Sequence, residues 1–233
     1  MLPIDDAIKE IVKQYPQVRR NLTEKARAYF EGGAYKTYDY FLRTLDASVR
    51  NLWNKKISES QFVDGLAGLL EQQMRRAWNE GMRENELDPA KDMTDEWEQV
   101  YQGLVTEQFQ YVDQYAADIV AARSREGASI DPFRARVSMW AYNYTSTVNT
   151  SKIVTASPED RFIWKLGRTE QHCETCAALN GVVATAKDWD ALRSKGIEPQ
   201  GDNLMCGGWH CDCIVEITDA ALTKGGIPDV PHK

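Results

Sequence analysis

Apolar side chains recur at steps of three and four residues along most of the first 155 positions. This spacing places them on one face of a helix. The clearest stripes are Tyr38, Phe41, Leu42, Leu45, Val49, Leu52 and Trp53, then Phe62, Leu66, Leu69, Leu70, Met74 and Trp78. The pattern predicts consecutive amphipathic helices, and we interpret their aromatic positions as core packing.

Polar residues mark where these helices start. Ser58-x-x-Gln61 has the form of a capping box, and Thr94 followed by acidic residues is typical of a helix N-terminus. The third stripe runs from Trp97 to about Arg123. Asp131-Pro132 predicts the start of a fourth helix, with Asp131 as the cap.

The pattern changes after residue 157. Short β-like runs at 161–166, 182–184 and 213–217 alternate with short helical segments at 174–179 and 185–196. We therefore predict a helical region over 1–157, a Cys-rich α+β domain over 158–220, and a flexible tail over 221–233. The fold class that follows is mainly α: a multi-helix N-terminal region and a small, zinc-knuckle-like α+β C-terminal domain. Whether the helices form a compact bundle or are partly splayed stays open.

Composition and charge limit the partners and the cellular compartment that we expect. The 233 residues carry a formal net charge of −7, which argues against a nucleic-acid groove as the main surface. No segment approaches the roughly 20 apolar residues of a membrane span, and the N-terminus does not resemble a secretory signal. We expect a reducing cytoplasm, where a Cys-x-x-Cys cluster favours metal or redox chemistry over structural disulfides.

All five cysteines lie in two short stretches, 172–181 and 206–213. Cys173-x-x-Cys176 lets one turn present two sulfurs to a tetrahedral zinc ion. An extended chain at Cys211 and Cys213 would place both sulfurs on one side, facing the first pair. Cys206 would then be left over or would replace one of the four. The candidate zinc ligands are thus Cys173, Cys176, Cys206, Cys211 and Cys213.

Other interpretations of these residues remain open. His172 and His210 are weaker ligand candidates, and the thiols could form disulfides or stay free in a packed core. Redox catalysis is disfavoured because the residues upstream of Cys173 lack a thioredoxin-like pattern. A metal-dependent nuclease is also disfavoured, because four thiolates leave no open position on zinc. Asp188 and Asp190 flank Trp189 as a solvated helix face, and no catalytic residues are predicted.

The order of these motifs resembles the phage Mu F-like minor head proteins, also called the head morphogenesis family. The matching pieces are Trp164, Arg168, Cys173-Glu-Thr-Cys176-Ala-Ala-Leu179-Asn-Gly181, Cys211-Asp-Cys213, and upstream Arg136-Val-Ser-Met-Trp140-Ala-Tyr-Asn143. The resemblance covers residues 130–218. It departs at Cys206-Gly-Gly-Trp-His-Cys211-Asp-Cys213, where the family commonly has Pro-x-His-x-x-Cys-x-Cys, so the fourth ligand is left open.

The resemblance implies a structural role rather than an enzyme. It implies a minor head protein at the portal vertex or capsid interior of a tailed phage, acting in head assembly, DNA packaging or delivery. Expected partners are the portal and/or major capsid protein, with contact to packaged DNA left open and no membrane. The expected location is the virion head, and the host cytoplasm during assembly. The alternatives are a head-carried effector or processing enzyme that uses the Cys-rich knuckle, or a cellular zinc-bearing adaptor.

Overall fold

The computed structural model describes residues 34–168, 171–208 and 211–233, with side chains from Tyr40 onward except positions 138, 139, 141 and 142. The chain divides into two compact units, residues 1–43 and 44–233. The predicted contribution of the Tyr38 side chain and the candidate ligand His210 lie outside the described residues. Of the first unit, the described part is the beginning of helix α1 (Ala34–Trp53).

Three more long helices follow: α2 (Glu59–Glu84), α3 (Asp95–Ala122) and α4 (Asp131–Thr155). The capping box is confirmed, because the Ser58 hydroxyl accepts the Gln61 backbone N–H and the Gln61 side chain accepts that of Ser58. Thr94 caps α3 by accepting the Trp97 N–H at 3.2 Å. None of the described helices is long and apolar enough to cross a membrane.

The prediction that Asp131 caps α4 is wrong. Ile130 occupies the cap position without a side-chain hydrogen bond, and Asp131 is the first residue of the helix. The Ser129 hydroxyl donates to the Asp131 carboxylate at 2.9 Å and accepts the Asp131 N–H at 3.1 Å. The carboxylate still lies in the first turn, where the helix dipole favours negative charge.

Helices α2, α3 and α4 pack through their apolar stripes. Trp78 of α2 meets Tyr101 of α3 edge to face, with ring centroids 5.8 Å apart, and both side chains are fully buried. Where α2 meets α4, a Cβ added at Gly81 would lie 2.6 Å from the Val148 carbonyl oxygen and the Ser151 Cβ. Glycine therefore allows a close approach of these two helices.

The C-terminal part mixes short strands and helices: β1 (Arg161–Lys165), α5 (Glu174–Leu179), β2 (Val183–Thr185), α6 (Ala186–Arg193) and β3 (Ile214–Ile217). The strands form an antiparallel sheet in the order β2-β1-β3. Ile163 of β1 pairs with Val183 on one side and with Glu216 on the other. The predicted fold class, mainly α with a small Cys-rich α+β part, is confirmed.

The Cys-rich region shares its core with the last long helix. Phe162, Trp164 and Trp189 are buried in one apolar cluster together with Ile153 of α4. The indole N–H of Trp189 donates to the Phe162 carbonyl at 3.0 Å, which fixes α6 over the sheet. The predicted boundary near residue 157 falls inside the compact unit 44–233 and marks a change of secondary structure; the division into domains there stays a prediction.

The last residues, predicted as a flexible tail, are attached to the fold at several points. Thr223 bonds Val183 twice, through its backbone N–H at 3.0 Å and its hydroxyl oxygen at 2.8 Å. The Thr175 hydroxyl donates to the Pro231 carbonyl, and Val230 is buried. The segment therefore covers the outer edge of β2, where unpaired backbone groups would otherwise be exposed.

Candidate metal centre

The first two cysteines lie at the start of α5. Cys173 is the N-cap residue, and its sulfur accepts the Cys176 backbone N–H at 3.5 Å. Cys176 follows in the first turn and is buried, with 1% of its surface exposed. The spacing of three residues therefore turns both sulfurs toward the same place.

Cys206 approaches them from a glycine-rich loop. Gly207 and Gly208 both have positive φ, and the Gly208 backbone N–H bonds the Cys206 sulfur. A Cβ at Gly208 would lie 2.2 Å from the Gln200 carbonyl oxygen, so a larger residue would push the turn open. The two glycines curl the chain around the Cys206 sulfur.

Cys211 and Cys213 flank Asp212 just before β3. The Cys213 N–H bonds the Cys211 sulfur, and the Gly167 N–H bonds the Cys213 sulfur. The Asp212 carboxylate accepts the Arg168 N–H, and a Cβ at Gly167 would lie 2.0 Å from that carboxylate. The backbone N–H groups of the loop after β1 thus hold it against the side chains of Asp212 and Cys213.

The structure brings all five cysteines together. Their sulfurs form two groups, Cys173–Cys176–Cys206 and Cys176–Cys211–Cys213, and within each group the atoms lie within 4.8 Å of one another. Cys176 and Cys211 are 3.9 Å apart between sulfurs, and none of the five is in a disulfide. The expected approach of Cys211 and Cys213 to the first pair is seen at Cys176, and Cys206 lies with Cys173 and Cys176.

These distances suit a thiophilic metal ion. Zinc–sulfur bonds of about 2.3 Å in a tetrahedron place sulfurs roughly 3.8 Å apart, close to the Cys176–Cys211 separation. Cysteine groups of this kind can hold a metal ion. The N–H···S bonds to the surrounding backbone are the outer contacts that orient thiolate ligands.

Proton sharing within the cluster divides the thiols. Hydrogen bonds from Cys176 and Cys211 lower the pKa of Cys213 to about 4. The pKa of Cys176 is instead raised by its own contacts with Cys211 and Cys213. Burial raises the pKa of Cys206 to about 11. Because metals bind thiolates, a metal ion at this cluster would have to displace the protons held here, and its affinity would rise with pH.

Asn149 and Gln200 fasten the Cys-x-Cys segment, and sequence reasoning missed both. The Gln200 amide N–H groups donate to the carbonyls of Cys211 at 3.0 Å and Cys213 at 2.7 Å. Asn149, fully buried on α4, donates to the Cys213 carbonyl at 3.4 Å and accepts the Val215 N–H at 3.2 Å. Asn149 stands in a polar run of α4, Asn149-Thr150-Ser151-Lys152, so neither it nor Gln200 is marked out in the sequence.

His172 is not part of this arrangement. His172 precedes the capping Cys173, but neither of its ring nitrogens belongs to the two sulfur groups found among the described residues. The centre that the structure describes is therefore built from sulfur.

Comparison with known proteins leaves this centre to be interpreted from its own geometry. No protein-family model matches the chain, and no curated protein or solved structure matches it significantly.

Proposed function

We propose that the five-cysteine cluster is a structural zinc centre that holds the Cys-rich region together. The observation that carries this proposal is the convergence of sulfurs from α5, from the glycine loop and from the segment before β3. A region of this size buries a small core, and a metal that ties its distant segments together supplies the missing stability. Zinc fits because it takes thiolate ligands in a four-coordinate shell and has no redox chemistry of its own.

The surroundings of Cys176 favour a structural role over redox catalysis. A redox Cys-x-x-Cys needs an accessible, low-pKa thiol at a helix start. Cys173, at the start of α5, is half-buried, and backbone N–H bonds from Cys176 and Cys206 lower its pKa against the effect of burial. Its partner Cys176 is fully buried, has a pKa raised by its contacts with Cys211 and Cys213, and lies within 4.8 Å of both their sulfurs. A thiol enclosed by other sulfurs is suited to a metal and poorly placed to attack a substrate.

Metal analysis tests this part of the proposal. Protein purified without chelator should contain zinc, and Cys176→Ser should lose it and unfold the Cys-rich region, because metal-binding energy there is folding energy. Met205→Ala is the matched control, since Met205 lies in the same loop beside Cys206 and is 44% exposed. A folded, metal-free wild type would contradict the structural centre. An enzymatic activity lost in Cys176→Ser with the fold intact would favour the effector alternative.

We further propose that the protein is a structural minor head protein of a tailed phage. It would sit at the portal vertex or capsid interior and act in head assembly, DNA packaging or delivery, without catalysis. What supports this is the order of motifs, from Trp164 and Arg168 through Cys173-x-x-Cys176 to Cys211-Asp-Cys213. The expected partners are the portal and/or major capsid protein.

Particle analysis tests the assembly role. Purified mature heads should contain this chain, and it should co-purify with the portal protein when both are produced together. The Cys176→Ser variant should fail to incorporate, because the Cys-rich region would lose its shape. Absence of the wild-type chain both from particles and from portal complexes would overturn this role while leaving the zinc centre untouched.

A further inference from the structure

The five sulfurs form two overlapping sets of three rather than one set of four. Cys173 and Cys206 form one set with Cys176, and Cys211 and Cys213 form the other set with the same Cys176. A single tetrahedral ion needs four sulfurs at mutual distances of roughly 3.8 Å. Two ions, each with three sulfurs and a common one between them, fit the arrangement as it stands.

The contacts of the sulfurs separate four outer positions from a central one. Each outer sulfur takes a backbone N–H: Cys173 from Cys176, Cys206 from Gly208, Cys211 from Cys213, and Cys213 from Gly167. Cys176 instead has the other four sulfurs around it, two in each group, with that of Cys211 at 3.9 Å. A thiolate that binds one metal keeps lone pairs that can accept N–H donors. A bridging thiolate uses a further lone pair to bind the second metal.

Charge balance points the same way. One divalent ion bound by four thiolates leaves two negative charges, with the fifth thiol still protonated. Two divalent ions bound by five thiolates leave one negative charge. Because Cys176, Cys211 and Cys213 are all buried, the arrangement with the smaller uncompensated charge costs less desolvation.

We propose that the cluster binds two thiophilic divalent cations, bridged by the sulfur of Cys176. This rests on the proposed zinc centre and extends it from one ion to two. The first ion binds Cys173, Cys206 and the bridging sulfur; the second binds Cys211, Cys213 and the same sulfur. Each ion keeps a fourth position for an oxygen or nitrogen ligand.

Native mass spectrometry of the full chain, titrated with Zn²⁺, tests the stoichiometry. The wild type should hold two ions. Cys206→Ser and Cys213→Ser should each hold one, and Met205→Ala should hold two. Circular dichroism would confirm that each variant is folded. The wild-type count stands even if a variant fails to fold.

Substitution with ¹¹³Cd²⁺ gives a second reading of the same centre. Two cadmium resonances with mutual coupling through the shared sulfur are expected. One zinc per chain at saturation with a single cadmium resonance would overturn the two-ion centre and leave the structural zinc site standing. No bound metal in the wild type would remove both.

Discussion

The helical region, residues 44–155, and the Cys-rich region, residues 158–233, are held together by different means. In the first, large side chains such as Trp78, Tyr101 and Leu66 are buried along continuous stripes. In the second, the core of Phe162, Trp164 and Trp189 is joined by the sulfurs of Cys176 and Cys213. Periodic apolar residues suffice for long helices, whereas short strands and loops need ties between distant positions.

Helix α4 belongs to both regions. Its Tyr144 and Val148 pack with Ala77 of α2, and its Ile153 lies in the core beneath the sheet. Asn149 on the same helix bonds the Cys-x-Cys segment. The two regions therefore differ in how they are stabilised but share one structural element.

Removing the proposed zinc should give the largest difference in stability between the two regions. Chelation should unfold residues 161–217 while α2 and α3 keep their helical structure. The reason is that residues 161–217 are joined by the sulfur cluster, whereas α2 and α3 are held by apolar packing. Structural zinc in small domains contributes on the order of 10 kcal/mol or more. Hydrogen exchange with and without chelator measures this region by region. Equal protection of both regions after complete metal removal would break the comparison.

A substitution at the contact between α2 and α4 should have a smaller effect, and it should destabilise the helical region rather than the Cys-rich region. Gly81→Ala should destabilise the protein by about 1–3 kcal/mol, because its Cβ would meet α4 backbone and Ser151. Gly65→Ala is the matched control on the same helix: nothing lies within 4 Å of its Cβ, so a gain of up to about 1 kcal/mol is expected. Urea denaturation gives both values.

Zinc content should be the same in both glycine variants. A neutral Gly81→Ala would contradict the close α2–α4 contact. Loss of metal at unchanged helical stability would show that this contact supports the Cys-rich region rather than the helices.

Asn149 tests the point where the regions meet. Asn149→Ala should cost about 1–3 kcal/mol, since the buried Val215 N–H and Cys213 carbonyl lose a partner. Asn149→Asp should cost more, because it sets a carboxylate against the Cys213 carbonyl. Competition with a chromogenic zinc chelator should show faster metal release in both variants. Unchanged release with lowered stability would assign Asn149 to packing alone.

The last expected effect is confined to one pH interval and concerns Glu198, which lies in the loop beside α4 and accepts a hydrogen bond from the Thr150 hydroxyl at 2.8 Å. Burial raises the pKa of Glu198 from 4.5 to about 7. The folded state then holds the proton more tightly than the unfolded state, so this contribution to stability is present below pH 4.5 and is lost as pH rises toward 7.

Glu198→Gln should therefore flatten the fall in stability over that interval, and the exposed Glu159→Gln should not. Urea denaturation at a series of pH values compares the three proteins. Parallel profiles for wild type and Glu198→Gln would show that the carboxyl stays solvated.

The sequence predicted the parts of the fold that depend on local pattern. Ser58, Gln61 and Thr94 cap helices as expected, because a side-chain oxygen at a helix start acts on its own neighbours. Asp131 is not the cap because the helix begins one residue earlier than predicted. Ile130 already has helical backbone angles, with φ −77° and ψ −18°.

The candidate site was predictable in its sulfurs but not in its supports. Cys-x-x-Cys and Cys-x-Cys are visible as spacings, and the geometry of thiolate metal sites led to the prediction that they converge. Asn149 and Gln200 act across long sequence separations, through an amide that reaches a carbonyl only after folding. The same holds for Gly167, whose need for glycine arises from the approach of Asp212.

X-ray absorption at the metal edge of protein purified without chelator tests the central claim most directly. Bound zinc surrounded mainly by sulfur at about 2.3 Å is the result that the cluster predicts. A zinc shell made only of oxygen and nitrogen at about 2.0–2.1 Å would show that the metal binds elsewhere and that the five cysteines do not hold it.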